Sequence, residues 1–295
     1  MRILLGCLSV VLATIAIWVM SRDIAPPKAM TIATGIEGGG YWQIAERYRE
    51  ILARDGIEVT LLPTGGALEN AQLLAGGAAD AGLLQGGIPV AFGVTSLGAM
   101  FNEPVQIFTA PGVAMPDNPG AWAGVTFAAG GDGSGTRAAF DGFLAAADLA
   151  PREEEVLPLG GAAAVDALFA GQVDAAFFVA PLGAPYLEAL TAGDEGLLVY
   201  PSQLPAMGRR MRGADVVSLP TGAIRMEPPL PAEDREALVL TAQLGARSGL
   251  HPSLVDRLVT AAMEIHGGAD AVTEAGAFPS TQTEGTRMHA YAKRL

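Results

Sequence analysis

Cysteine is all but missing from this chain: the single thiol, Cys7, lies inside an apolar N-terminal run. The remainder therefore has no disulfide, no thiolate metal ligand and no cysteine nucleophile, so its fold rests on packing. Histidine is nearly as scarce, with His251, His266 and His289 all close to the C-terminus and not at metal-ligand spacing. His251, before Pro252, reads as a helix-start residue, and His266 as a helix-end residue whose positive charge would suit the helix dipole. Basic charge is also short. Eighteen Lys and Arg face 31 Asp and Glu, a net charge of −13, which repels a phosphate backbone and excludes nucleic acid as a partner. No motif asks for a cofactor or a metal.

Apolar residues and glycine are what the chain has in quantity: half of its 295 residues are hydrophobic and 38 are Gly. That profile belongs to a tightly packed α/β protein and not to a disordered one. Ile3 to Met20 is an uncharged apolar run behind Arg2, and at about 1.5 Å per residue it nearly spans a hydrocarbon core. We read residues 1–22 as an uncleaved signal anchor, a transmembrane helix through the inner membrane, with a cleaved signal peptide as the alternative. LLGC at Cys7 resembles a lipobox, but too few residues precede it. Residues 23–29, with Pro26 and Pro27, form a linker. Beyond it strand-like and helix-like segments alternate: MTIAT, a helix to Gly56, IEVTLLPT, ALENAQLLAGG, DAGLLQ, VQIFTAPGVAM, VTFAAGG, SGTRAAFDGFLAAADL, EEVLPL, AAAVDALFAGQ, DAAFFVA. Such βαβ rhythm predicts mostly parallel sheets with helices on both faces. VVSLP reads as a strand, EALVLTAQLGA as a strand or a helix, and HPSLVDRLVTAAMEIHGG as an amphipathic helix.

One phrase occurs twice. PTGGALENAQLLAGGAADAGLLQ, residues 63–85, is echoed by PLGGAAAVDALFAGQVDAAFFV, residues 158–179. Each copy reads strand, Gly-Gly turn, helix, Gly turn, Asp, buried strand, which predicts two lobes built on one plan. A glycine pair between strand and helix lets backbone N–H groups converge in front of the helix, where an anion is favoured. GIEGGGYW, PTGGALEN, GGDGSGTR and PLGGAAAV are four such turns. The echo at 158 keeps the glycines but lacks counterparts of Asn70 and Gln85, so it reads as the weaker site. Glycine before a helix also serves plain turn chemistry. GIEGGG is not a dinucleotide fingerprint, GGDGSGTR lacks a P-loop lysine, and Ser134 misses the GxSxG elbow of hydrolases. Asp80 and Asp174 read as caps on turn backbone, and Trp42 as core, with Tyr41 beside the glycines facing either way.

TIATGIEGGGYW, the 63–85 phrase, GSGTR and AGQVDAAFFVAPLGAP, in that order, resemble the TAXI family of solute-binding proteins that serve tripartite ATP-independent periplasmic (TRAP) transporters. The resemblance implies a type II periplasmic-binding-protein fold, two α/β lobes with a ligand cleft between them. It sets lobe 1 at residues 30–115 and 215–295, and lobe 2 at 116–214. It implies capture of a small organic anion, a carboxylate or an amino acid such as glutamate, and delivery to a TRAP-type permease. The cleft residues it implies are Gly38, Gly39 and Tyr41; Thr64, Gly65, Gly66 and Asn70; Gln85; and Ser134, Gly135 and Thr136. Backbone N–H groups at 38–41 and 65–67 would hold a carboxylate, Asn70 and Gln85 would offer amides, and Ser134 and Thr136 hydroxyls. The sequence departs from the family at Ala67, where Ser is common, and at Gly86 and Gly87 after Gln85, both departures falling in the implied ligand region. A membrane-tethered sensor using the same cleft is the alternative function, and a hydrolase the weakest.

Overall fold

The computed structural model describes residues 26–150, 155–192, 197–283 and 285–294. The anchor over residues 3–20 lies outside the described residues. Among those described, no helix is long and apolar enough to cross a membrane.

The N-terminal half opens with strand β1 (Ala29–Ala33), helix α1 (Gly40–Arg54), β2 (Glu58–Leu62), α2 (Ala67–Ala75) and β3 (Ala81–Leu84). The β1 strand lies between β2 and β3 and is parallel to both. The long strand β4 (Val94–Thr109) leads into the second half, with β5 (Phe127–Ala128), α3 (Gly135–Ala146), β6 (Val156–Leu157), α4 (Gly161–Phe169) and β7 (Ala175–Val179). There β5 lies between β6 and β7, again parallel to both. The two halves thus repeat one plan, and the repeated phrase occupies equivalent places in them. Its aspartates do the same work at those places. Asp80 Oδ2 accepts the N–H of Thr31 at 2.8 Å, and Asp174 Oδ2 accepts that of Thr126 at 2.8 Å. Each carboxylate ties the foot of one strand to the turn before its neighbour.

After short pieces α5 (Glu188–Thr191), β8 (Leu198–Val199) and α6 (Leu204–Arg210), the chain returns through β9 (Ala214–Leu219), the small pair β10 (Arg225–Met226) and β11 (Pro229–Leu230), and the long β12 (Arg235–Arg247), then ends on α7 (Pro252–His266). EALVLTAQLGA is therefore strand. It is inserted antiparallel between β3 and β4, buried on both faces, and such a strand has no alternation to distinguish it from a helix. The main path runs β2-β1-β3-β12-β4-β7-β5-β6, so β12 and β4 are the strands through which one half continues into the other. Residues from Val94 to Pro104 of β4 pair with β12, and those from Val105 to Thr109 pair with β7. The change of partner falls at Glu103 and Pro104.

Packing follows the apolar faces. In the first half Tyr48 and Leu52 of α1 and Leu254, Val255 and Leu258 of α7 cover one sheet face. In the second, Trp122 stacks on Phe143 at 5.6 Å, and Phe127, Phe140 and Phe177 fill the space around them. Each large apolar side chain fully buried this way contributes about 1.5–3 kcal/mol. Trp42, read as core, is only half-buried and lies outside these clusters. His266 is not a charged cap. Its ring stacks on Phe101 at 5.2 Å, Nε2 meets Tyr48 Oη at 3.1 Å, and burial pushes its pKa down to about 4, so it is neutral. His251 does start α7, accepting the Ser253 N–H on Nδ1.

Candidate functional site

Strand β1 ends in the glycine turn Gly35–Gly39, β2 in Thr64–Gly66, β5 in Gly130–Gly133 and β6 in Pro158–Gly160. A helix starts immediately after each turn. All four helix starts line one cavity of about 320 Å³, through Gly40, Ala67, Gly135 and Gly161. Three of them have glycine at the N-cap, Gly39, Gly66 and Gly160, with no side chain satisfying the first-turn N–H groups. Those donors have no carbonyl partner in their own helix and point at the cavity with the positive end of the dipole. Gly66 holds φ at 124°, a conformation that glycine adopts without strain. The fourth start is capped: Ser134 Oγ accepts the N–H of Arg137 at 3.1 Å. Its oxygen is engaged in holding α3.

Gly39, Tyr41, Gly65, Gly66, Gln85, Ser134, Gly135 and Thr136 all reach the lining; Gly38, Thr64 and Asn70 do not. Asn70 is fully buried beneath the floor. Its Nδ2 donates to the carbonyls of Thr34 and Leu83, and its Oδ1 accepts the hydroxyl of Thr64 at 2.7 Å. The amide expected to meet a ligand instead ties β1, β3 and α2 together. Several backbone donors expected for a carboxylate are also in use. The N–H of Gly39 bonds to the Ile36 carbonyl, that of Gly65 to Glu69, and that of Gly66 to Thr64 Oγ1. The donors left to a ligand begin one step later, at Gly40 and Ala67. Gln85 sits at the end of β3 and donates from Nε2 to the Gly135 carbonyl at 2.8 Å, joining the first half to the start of α3. Ile36 closes a second contact between the halves, because a Cβ on Gly161 would sit 3.0 Å from its Cδ1.

Gly86 and Gly87 are not on the lining either. They are where β3 leaves the sheet and passes against the 212–213 turn. A Cβ on Gly86 would lie 2.9 Å from the Thr241 carbonyl, and one on Gly87 would overlap the carbonyl oxygen of Arg212. Close backbone packing, and not ligand chemistry, requires glycine there. Ala67, by contrast, does face the cavity.

Sequence reasoning passed over the back wall. Glu103, where β4 changes partners, is 2% exposed and accepts the phenol of Tyr41 on Oε2 at 2.7 Å. Burial pushes its carboxyl pKa up to about 8, partly offset by the Tyr41 hydrogen bond. Tyr41 is raised well above the usual phenol value by burial and by Glu103, and Tyr186 is raised for the same two reasons. Glu103, Tyr41 and Tyr186 form one cluster at the side of the cavity. No local pattern announces a Glu in the middle of a long apolar strand as a cleft residue. The echo's Gly160 and Gly161 also reach the lining, so the second copy supplies a helix start despite lacking an Asn70 or a Gln85. Among the described residues no cluster of His, Cys, Asp or Glu has the makings of a metal site.

The fold recurs in solved structures. The effector binding domain of QuiR in complex with shikimate superposes with a TM-score of 0.53 at 9% identity, over 82% of this chain and 98% of that one. Full-length BenM, in a mutant form, gives 0.53 at 11% identity over 88% and 74%. The alkanesulfonate-binding protein SsuA from Xanthomonas axonopodis pv. citri, bound to MOPS, gives 0.49 at 17% over 82% and 74%. At such identities a likeness concerns the fold alone. No curated protein matches the chain by sequence. The family model that matches is that of the NMT1-like family, over residues 23–200, and the chain belongs to that family.

Proposed function

We propose that this protein is an extracytoplasmic solute receptor that captures a small carboxylate-bearing organic solute, such as an amino acid, between its two α/β halves and delivers it to a TRAP-type permease. The observation that carries the reading is the convergence of four helix starts, two from each half, on one cavity of about 320 Å³. A carboxylate placed there accepts hydrogen bonds from both halves, so the ligand completes a site that neither half holds alone. Gln85 and Ile36 make the contacts between the halves that would hold the closed form. The ordered set of motifs similar to TAXI receptors supports the choice of permease, and the apolar run from Ile3 to Met20 supports a tether at the inner membrane.

The test is a thermal-shift screen of the purified full-length chain against carboxylates, amino acids and phosphates. A true ligand at 100 times its dissociation constant adds about 2.7 kcal/mol of stability. If no small solute moves the transition, the receptor reading fails. Uptake of the solute found in the screen, reconstituted in proteoliposomes with a TRAP permease and with or without this protein, tests delivery.

A further inference from the structure

The four helix starts account for the carboxylate of a ligand; the side of the cavity at Glu103 is built for something else. Among the described residues the charged ones lining the cavity are Glu103 and Asp132, with neither Lys nor Arg. A ligand that is only an anion would be held by the helix starts and would leave these two carboxyl groups without a cation. Glu103 is also unusual in itself. It is 2% exposed and lines the cavity, and the hydrogen bond it makes is the one that Oε2 accepts from the Tyr41 phenol. A buried carboxyl group that has one bond and no basic partner is expensive to keep ionised, and it gains most when a cation arrives.

We infer that Glu103 is the cleft's second recognition point and selects a solute that carries a protonated nitrogen in addition to its carboxylate. This rests on the receptor reading above and deepens it, since it separates zwitterions from plain mono- and dicarboxylates. The carboxylate of such a solute sits at the helix starts, and its ammonium group donates to Oε1 of Glu103. Tyr41 supplies its phenol as the carboxylate's fixed donor. Tyr186, lining the cavity beside Glu103, offers an aromatic ring to the cation. Proton balance follows. A carboxyl that is protonated in the empty cleft releases its proton to solvent when the ammonium takes its place. The titratable groups that share the cavity with Glu103 are Tyr41 from α1, Tyr186 from the segment after β7, and Asp132 from the loop before α3.

Matched probes decide the point: L-alanine against propionate, L-glutamate against glutarate, and γ-aminobutyrate against butyrate, by titration calorimetry on the full-length chain. The expected result is that the nitrogen-bearing member of at least one pair binds tighter by a factor of about ten or more, with release of close to one proton at pH 7, read from two buffers of different ionisation enthalpy. Glu103→Gln should abolish both the preference and the proton release. Should that variant fail to melt cooperatively, the buffer dependence of the native protein still decides. Plain carboxylates binding as tightly as their amino partners, or a preference that survives Glu103→Gln, would overturn the role of Glu103 and leave the receptor reading standing. If no pair binds and the wider screen is also blank, both fall.

Discussion

Glu103 and His266 are buried titratable groups with opposite shifts, and each makes stability depend on pH. Glu103 keeps its proton in the folded state up to about pH 8 and loses it near 4.5 when unfolded, so folding takes up a proton between those values and stability falls as pH rises through them. His266 is neutral when folded down to about pH 4 and titrates near 6.5 when unfolded, so its contribution is present above 6.5 and is lost on acidification. Below pH 6.5 His266 is joined by His289, also held below the usual histidine value by burial, so both oppose the Glu103 slope there, and above pH 6.5 the Glu103 slope remains. We therefore expect ligand-free stability to fall by about 2 kcal/mol between pH 6.5 and 8. Chemical denaturation across that range checks the slope, and Glu103→Gln should remove the decline. Asn70 is the other decisive single residue. Its amide satisfies carbonyls of two strands at a fully buried site, so Asn70→Ala is expected to cost about 2–4 kcal/mol by urea unfolding. A loss below about 1 kcal/mol would show that its bonds to Thr34 and Leu83 matter little. The type of both residues was visible in the sequence; their roles were not. A Glu in an apolar strand and an Asn in an amphipathic helix look alike until their neighbours are known.

At the level of elements, the helix starts share a position but not a means of satisfying their donors. The start of α3 has a serine cap, and Ser134→Ala should lower stability by about 1 kcal/mol. The glycine-capped starts of α1, α2 and α4 have no such side chain to lose. The exit from β3 is a different case. Gly87, at φ 82°, has no room for a Cβ against the Arg212 carbonyl, and Gly87→Ala should destabilise by roughly 3 kcal/mol or more through strain and overlap together. A soluble variant with an unchanged melting temperature would mean that the 212–213 turn can move aside. Element boundaries were readable wherever glycine turns punctuate amphipathic runs, as from Met30 to Gln85. They were less so from Gly86 to Met100, where TSLGAM has no clean period because β4 is buried on both sides, and from Leu204 to Arg210, a helix too short for periodicity to register.

For the whole molecule, the proposed capture of a solute depends on how the halves meet. Gln85 is the hydrogen-bonded link between them at the cavity edge, so Gln85→Leu should weaken capture of the solute by about two- to tenfold, the worth of one net hydrogen bond of about 0.5–1.5 kcal/mol. The effect should fall mainly on the dissociation rate, which stopped-flow release would measure. An unchanged rate would place the closing contacts elsewhere, with Ile36 the next residue to truncate. The sequence by itself determined the class of fold, the repeated βαβ plan and the glycine turns, because each is written in local periodicity and in residues with special backbone freedom. It also showed that one cysteine and three histidines leave few thiol or imidazole groups for chemistry. Only the tertiary structure decided which donors remain open, that Asn70 faces inward, that Gly86 and Gly87 serve packing, and that Glu103 stands in the cleft wall. Those outcomes depend on strands β4 and β12 running from one half into the other. Such long-range pairings bring residues far apart in sequence to within a few ångströms, and no local pattern records them.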